Sequence, residues 1–441
     1  MQRRWLAGGF AAVAAVTLAQ RAQGAAFFIQ EQSIAGMGRA YAGESAVADT
    51  AATIFFNPAG LTLLDRPQVS GAGYAIVPNA SFEDKGTVAS TPATGGTFRR
   101  VRGNDGGNPY GPTAFGNFYA SMPVLEDRVW LGFGVTAPYS LEVVYNSSWF
   151  GRYDSTKSRL QTYNFAPTVA VKATDWLSLG ISLNIEYARA TLRNALPNPT
   201  TPGGPTTPGD GRATVKGDDT AVGFTLGVLT QPFEHARLGV AWRWGISHEL
   251  DGTLEVTGLK GILKVANENV DGTADLDLPQ AVMIGALYDL TDRVRLLGQI
   301  NWYGWSSFQE IRVVPASGPP PPVEPQNFEN TLGFAGGVEW QIMDGLRVRG
   351  GFQYDQTPTR DGFRNSRIPD ADRYLLGAGL TYDLTDQISA TFGYMHAFVK
   401  EATFDRARTI YGGTPLATQY RFVADASAMV NIVGAGFTYR F

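Results

Sequence analysis

Between residues 66 and 441, apolar side chains alternate with small or polar ones in segment after segment. Val129, Leu131, Phe133 and Val135 share one face of 128–136, with Gly132 and Gly134 on the other. Leu177, Leu179, Ile181, Leu183 and Ile185 do the same over 175–187, opposite Ser182 and Asn184. Ile388, Ala390, Phe392 and Tyr394 share a face of 387–398. Successive side chains of a strand point to opposite faces, so a period of two predicts strands. About fourteen such segments follow one another, the first over 66–79, the ninth over 293–313 and the last over 426–441. Their connectors alternate in length. Short ones fall at 125–128, 173–175, 232–236, 291–292, 343–345 and 384–386. Long ones fall at 80–111, 139–157, 193–213, 258–273, 314–325, 357–369 and 403–425. The Pro- and Gly-rich 193–213 and the run Pro319 to Pro322 read as extended loops. An apolar-out, polar-in dyad with short turns at one end and long loops at the other predicts an all-β fold. The expected architecture is a transmembrane antiparallel β-barrel of about 14 strands over 66–441.

Composition agrees with a chain in which only every second strand residue meets lipid. Charged residues are 17% of 441, below the roughly 25% of soluble domains. Aromatics are 12%, glycines number 52 and mean hydropathy is -0.11. Past the N-terminus no apolar run reaches the ~20 residues of a spanning helix. Residues 1–24 read as a secretory signal: Arg3 and Arg4, an apolar core from Trp5 to Ala19, then Ala22-Gln23-Gly24. The competing reading, a membrane anchor, needs a longer apolar run.

A net charge of -4 gives no reason to expect nucleic acid. The absence of cysteine excludes disulfides and thiolate metal sites. His235, His248 and His396 show neither a nucleophile–base pattern nor metal spacing. Gly36-Met37-Gly38 lacks the strand-to-helix setting of a phosphate loop, and 271–277 does not fit a calcium loop. No enzyme, cofactor or metal is expected.

Gly36 to Pro67 breaks the alternation: small residues dominate, and Asn57-Pro58-Ala59-Gly60 punctuates it. Residues 25–65 precede the first strand. A lumen of fourteen strands is too wide for its own side chains to fill, and irregular chain cannot face lipid unshielded. The segment therefore either folds into the lumen or hangs as a periplasmic tail. Gly36-Met37-Gly38-Arg39-Ala40-Tyr41 with the later Asn57-Pro58-Ala59, ahead of a barrel pattern, resembles the N-terminal plug (hatch) of the long-chain fatty acid transporter family of outer membranes. Trp149-Phe150-Gly151-Arg152-Tyr153, the region Ile368 to Arg373 and the C-terminal strands add to the likeness.

The resemblance implies several roles. Phe27, Phe28 and Ile29 form an apolar tip that helps line a binding pocket inside the barrel. Asn57, Pro58 and Ala59 set the bend where plug meets wall. Ala137-Pro138-Tyr139-Ser140 ends the third strand, where the family has a kink that lets ligand leave sideways; a plain strand end is the alternative. Arg193 and Arg312 match positions where the family places cations. Arg364, Arg367 and Arg373 surround Ile368-Pro369-Asp370, a segment similar to the family's. A cation in an apolar pocket suits a carboxylate headgroup; a rim arginine, or an ion pair with Asp370 or Asp372, is the alternative. Tyr139, Leu141, Val143, Val144, Tyr145, Trp149 and Phe150 crowd a loop expected in water, either as an entry groove for ligand or as loop-on-loop packing.

Phe437, Tyr439 and Phe441 share one face of the last strand and look like the C-terminal signal read by barrel-insertion machinery. The function so implied is passive uptake of hydrophobic compounds, foremost long-chain fatty acids, by a monomer in the outer membrane of a Gram-negative bacterium. An even strand number puts both termini in the periplasm, and membrane lipid and lipopolysaccharide surround the wall. The alternatives are import of aromatic hydrocarbons by the same fold, a general porin, and an outer-membrane enzyme.

Overall fold

The computed structural model describes residues 26–125, 128–201, 209–318, 320–321 and 323–441; the expected signal peptide lies outside them. Fourteen antiparallel strands close into a barrel. In chain order they are β1 (Gln68–Asp84), β2 (Thr113–Leu125), β3 (Val129–Thr136, resuming as Ser140–Val144), β4 (Lys157–Lys172) and β5 (Leu177–Leu196). Next come β6 (Gly211–Phe233), β7 (Ala236–Arg243, resuming as Ile246–Thr257), β8 (Asn269–Leu278, resuming as Ala281–Thr291), β9 (Val294–Tyr303) and β10 (Thr331–Met343). The last four are β11 (Leu346–Asp355), β12 (Arg373–Asp383), β13 (Ile388–Val399, resuming as Ala402–Ile410) and β14 (Thr418–Arg440). β14 pairs with β1 from Gln68↔Arg440 to Asp84↔Ala424, which removes both free edges.

The burial pattern inverts that of a soluble sheet. Leu131, Phe133, Leu179, Ile181 and Leu183 are exposed, while Ser182, Asn184 and Thr225 are buried toward the lumen. Trp176, Phe233, Trp340, Tyr382 and Phe441 stand exposed at the short-turn end, the aromatic girdle expected at a membrane interface. The interruptions have local causes. Pro138 and Pro279 have no N–H to give to a ladder. β7 and β8 break at one level, with Arg243↔Ala281 below and Ile246↔Leu278 above.

Among the expected boundaries that differ (the first strand reaches Asp84 rather than 79, and the expected loop 139–157 contains the strand Ser140–Val144), two have a clear cause. The ninth strand ends at Tyr303 rather than 313, because Trp305 and Phe308 turn inward and are buried. The expected loop 403–425 is mostly strand, turning only between Ile410 and Thr418. Its outward face is polar there, with Asp405 paired to Arg421 at 2.6 Å, so the apolar half of the dyad is missing.

Residues 26–64 run through the lumen as short pieces: α1 (Ile34–Gly38), α2 (Glu44–Val47), α3 (Thr53–Phe56) and a 3-10 turn (Pro58–Leu63). Where this backbone presses on the wall, the wall has glycine. Gly180 and Gly227 meet Asn57–Ala59, Gly239 meets Ser45, Gly351 meets Arg39 and Gly377 meets Met37. A Cβ at any of these would collide with the segment. Gly351→Val is therefore expected to cost about 1–3 kcal/mol by overpacking. Gly350→Val, on the other face with nothing near its Cβ, is expected to cost far less. Thermal unfolding midpoints in detergent compare the two, and equal shifts would sink the explanation.

Candidate functional site: a luminal cavity at the tip of the N-terminal segment

The tip of the segment is stitched into the wall where β3 is interrupted. β3 pairs with β4 along both halves, but its ladder with β2 stops at Phe118↔Val135. Beyond that level the tip takes the place of β2. The Ile29 N–H donates to the Pro138 carbonyl at 2.8 Å, and the Ser140 N–H donates to the Phe27 carbonyl at 2.9 Å. Gln32 Nε2 donates to the Ala137 carbonyl at 3.0 Å. The break at Ala137–Ser140 thus leaves backbone groups that the tip, rather than a neighbouring strand, satisfies.

Side chains reinforce that seat. The Phe27 ring lies 4.7 Å from Trp305 and 5.5 Å from Phe308, edge-on to both. Phe28 packs against Tyr139, Tyr303 and Phe55. Ile29 is buried beside them. The Ala26 N–H donates to Asp370 Oδ2 at 3.0 Å, and Gln30 Nε2 donates to the Tyr303 hydroxyl at 2.6 Å. Glu31, next along, is fully buried; burial pushes its carboxyl up to about 7 against the pull of Arg373.

Above the tip lies an apolar cavity. Phe27, Leu141, Leu160, Leu192, Leu250, Leu276, Phe308, Ile311 and Ile368 line it, with the charged residues Arg159, Lys216, Asp275 and Arg367 among them. Arg367 is 6% exposed. Its Nη2 donates to Asn194 Oδ1 at 3.1 Å, while Nη1 has no acceptor. Burial holds its guanidinium below its ordinary value.

The other candidate cations lie elsewhere. Arg193 falls on the opposite face of β5 from Ala190 and Leu192, which line the cavity. Arg312 is exposed and pairs with Glu310 at 2.5 Å. Arg364 is occupied by Thr359, Asp361 and the carbonyls of Asp370 and Thr403. Arg373 pairs with Asp355. The cavity therefore draws together Phe27 and Arg367, with Phe28 and Ile29 at the wall, and leaves Arg193 and Arg312 outside.

Asn57, Pro58 and Ala59 have a mechanical placement. Asn57 Nδ2 donates to the carbonyls of Ser45 at 2.7 Å and of Val228 on β6 at 3.0 Å, and Oδ1 accepts from the Ala59 N–H at 3.1 Å. One side chain thus caps the Pro58–Leu63 turn and fastens it to the wall.

The apolar loop residues form no open groove. Tyr139, Leu141, Val143, Tyr145, Trp149 and Phe150 are all buried, and of the set only Val144 is exposed. Tyr145 stacks on Trp149 at 3.8 Å, and Phe82, Phe404 and Phe422 close around them. Of the set, Tyr145, Trp149 and Phe150 pack with other outer segments, while Tyr139 packs on the tip and Leu141, on the outer half of β3, lines the cavity.

A charged cluster gave no sequence signal of its own. Arg39, fully buried, donates to Glu44 at 2.7 Å, Glu339 at 2.8 Å and Asp49 at 3.4 Å. Arg349 donates to the same Glu339 at 2.6 Å. This network ties the segment to β10 and β11 on the short-turn side of the tip.

A closed barrel with an apolar outer belt, filled by its own N-terminal segment around an apolar cavity, is an outer-membrane β-barrel. Residues 15–441 match the model of the family described as Outer membrane protein transport protein (OMPP1/FadL/TodX), and the chain belongs to that family. A long-chain fatty acid transport protein of Escherichia coli O6:H1 (strain CFT073) is 26% identical over 459 residues, covering 98% of this chain and 97% of that one. The crystal structure of a Pseudomonas aeruginosa FadL homologue superposes with a TM-score of 0.85 at 22% identity, covering 94% and 99%. That of the Ralstonia pickettii toluene transporter TbuX does so with a TM-score of 0.65 at 18% identity, covering 93% and 98%. Membership makes the chain an outer-membrane transporter for hydrophobic compounds, not an enzyme.

Proposed function

We propose that this protein takes up long-chain fatty acids passively, through the cavity above Phe27. One observation carries the choice of an acid: the apolar cavity holds a buried guanidinium, Arg367, with an unused N–H and no carboxylate within ion-pair distance among the described residues. An aliphatic lining takes the chain at ~0.8 kcal/mol per buried CH₂, and a charged donor takes the carboxylate. Residues 25–65 act as the plug, fastened through Arg39 and Asn57 and movable at Phe27, Phe28 and Ile29. Ligand displaces that tip and leaves sideways into the bilayer at Ala137–Ser140, between β2 and β3. Transfer runs down a gradient and needs no energy source. The chain works as a monomer amid lipid and lipopolysaccharide, with both termini periplasmic and Phe441 presented to the insertion machinery. The relative described as a toluene transporter supports a second reading, import of aromatic hydrocarbons. Direct titration of the purified protein with oleate and with toluene separates the two. Saturable oleate binding is expected, and binding of toluene alone would replace the acid by the hydrocarbon.

A further inference from the structure

The tip carries one ionisable group that the uptake route above does not use, Glu31. It stands between the two glutamines that fasten the tip. Gln30 Nε2 donates to the Tyr303 hydroxyl, and its Oε1 accepts from Gln353 Nε2 at 3.0 Å. Gln32 Nε2 donates to the Ala137 carbonyl, and the Gln32 carbonyl accepts from the Tyr119 hydroxyl at 3.0 Å. Glu31 itself is 3% exposed, and its Oε2 has no hydrogen-bond partner. The cation that acts on it, Arg373 at the start of β12, is already paired with Asp355 at the end of β11. Glu31, Asp355 and Asp370 all draw on that one guanidinium. Arg364, the other cation beside Asp370, is taken by Asp361. Asp355 keeps an unpartnered oxygen of its own, Oδ1. Tyr41 of the segment and Tyr74 of β1 also face Glu31, and each brings a hydroxyl rather than a positive charge.

A carboxyl group buried without a counter-charge of its own, beside a second carboxylate, is held in its neutral form. Burial pushes the Glu31 carboxyl from 4.5 up to about 7. Lifting the tip into water returns the group to the ordinary carboxylate range and releases its proton. The seated tip therefore binds more protons than the displaced one. Seating carries no penalty from Glu31 below about pH 4.5, weakens as pH climbs from there to about 7, and is level above.

We propose that Glu31 is a proton switch on the tip: its neutral carboxyl lets residues 26–32 seat against the broken edge of β3, and loss of the proton frees them. Rising pH thus favours the displaced tip. The proposal rests on the reading of these residues as the movable end of the plug, and adds the proton as an effector of that movement.

Hydrogen exchange of the purified protein in detergent, without ligand, measures seating directly. The reporters are the amides of Ile29 and Ser140, which bond to the carbonyls of Pro138 and Phe27. After correction for the intrinsic pH dependence of exchange, their protection in wild type is expected to fall roughly 70-fold between about pH 5 and 8. In Glu31→Gln, which keeps the shape of the neutral carboxyl and cannot ionise, it is expected to stay level. Amides of the Pro58–Leu63 turn, fastened by Asn57, are the internal control and are expected to keep their protection in both proteins. A packing role alone shifts protection equally at every pH and leaves the slope unchanged. Equal slopes in wild type and Glu31→Gln overturn the switch. Should the variant fail to fold, wild type decides alone: tip protection that is independent of pH, or that falls in step with the turn, overturns the switch as well. Either failure leaves the fatty acid reading intact, because no ligand is present. Lack of saturable oleate binding, measured separately, overturns the uptake reading and not the switch.

Discussion

Phe27→Glu is expected to weaken binding of a long-chain fatty acid at least about 100-fold, or roughly 2.7 kcal/mol. Phe27 is 1% exposed and forms the floor of the cavity, edge-on to Trp305 and Phe308. A carboxylate at that position either remains buried among apolar rings, at a cost of several kcal/mol, or withdraws and removes the floor. It also adds a negative charge beneath a cavity whose cation should receive the ligand. Phe27→Leu keeps the apolar contact and is expected to lose less than about tenfold. Titration of both variants against wild type decides the matter. Equal affinities for Phe27→Glu and wild type would remove the tip from the site.

Arg39→Met should produce the larger loss of stability. Arg39 faces Glu44, Asp49 and Glu339, two of which are almost fully buried. Glu339 and Asp49 keep Arg295, Arg347 and Arg349 as partners. Removing the cation strands the buried Glu44, however, whose ion pair is with Arg39, and breaking a buried pair in this way costs about 3–5 kcal/mol. The double variant Arg39→Met/Glu44→Gln is expected to recover part of the loss, because a neutral amide replaces the stranded carboxylate. Unfolding in urea, followed by near-UV absorption of the luminal tyrosines, gives the comparison. A loss below about 1 kcal/mol for the single variant would show that the network is incidental.

The strands were legible because lipid demands an aliphatic or aromatic residue at every second position. Leu177 to Ile185 on β5 and Val129 to Val135 on β3 announce themselves for that reason. Where the wall rises out of the bilayer the demand lapses, and the hairpin of Ala402–Ile410 with the outer part of β14 read as loop. The ninth strand was overextended because Trp305 and Phe308, apolar but inward, prolong an apparent apolar run. The candidate site was legible only through a resemblance. Arg367 emerged from its place beside Ile368-Pro369-Asp370, whereas Arg193 could have been set aside by parity, since it is odd-numbered on a strand whose cavity face is even. The Arg39 network escaped because its partner Glu339 lies 300 residues away, and no local pattern marks such a pair.

The hydrogen bonds between the tip and the broken edge of β3 have a thermodynamic corollary. Ile29 and Phe27 act toward Pro138 and Ser140 as an added strand acts toward a sheet edge. One short stretch of backbone both lines the cavity and pairs with the broken edge of β3; on the lateral route proposed above, occupancy inside and closure of the wall share a single equilibrium. Linkage makes the coupling reciprocal. If a bound molecule loosens the seal by some factor, whatever tightens the seal must weaken that molecule's binding by the same factor. On that proposed route the surrounding bilayer, by pressing on the wall between β2 and β3, becomes an effector of a site it never touches.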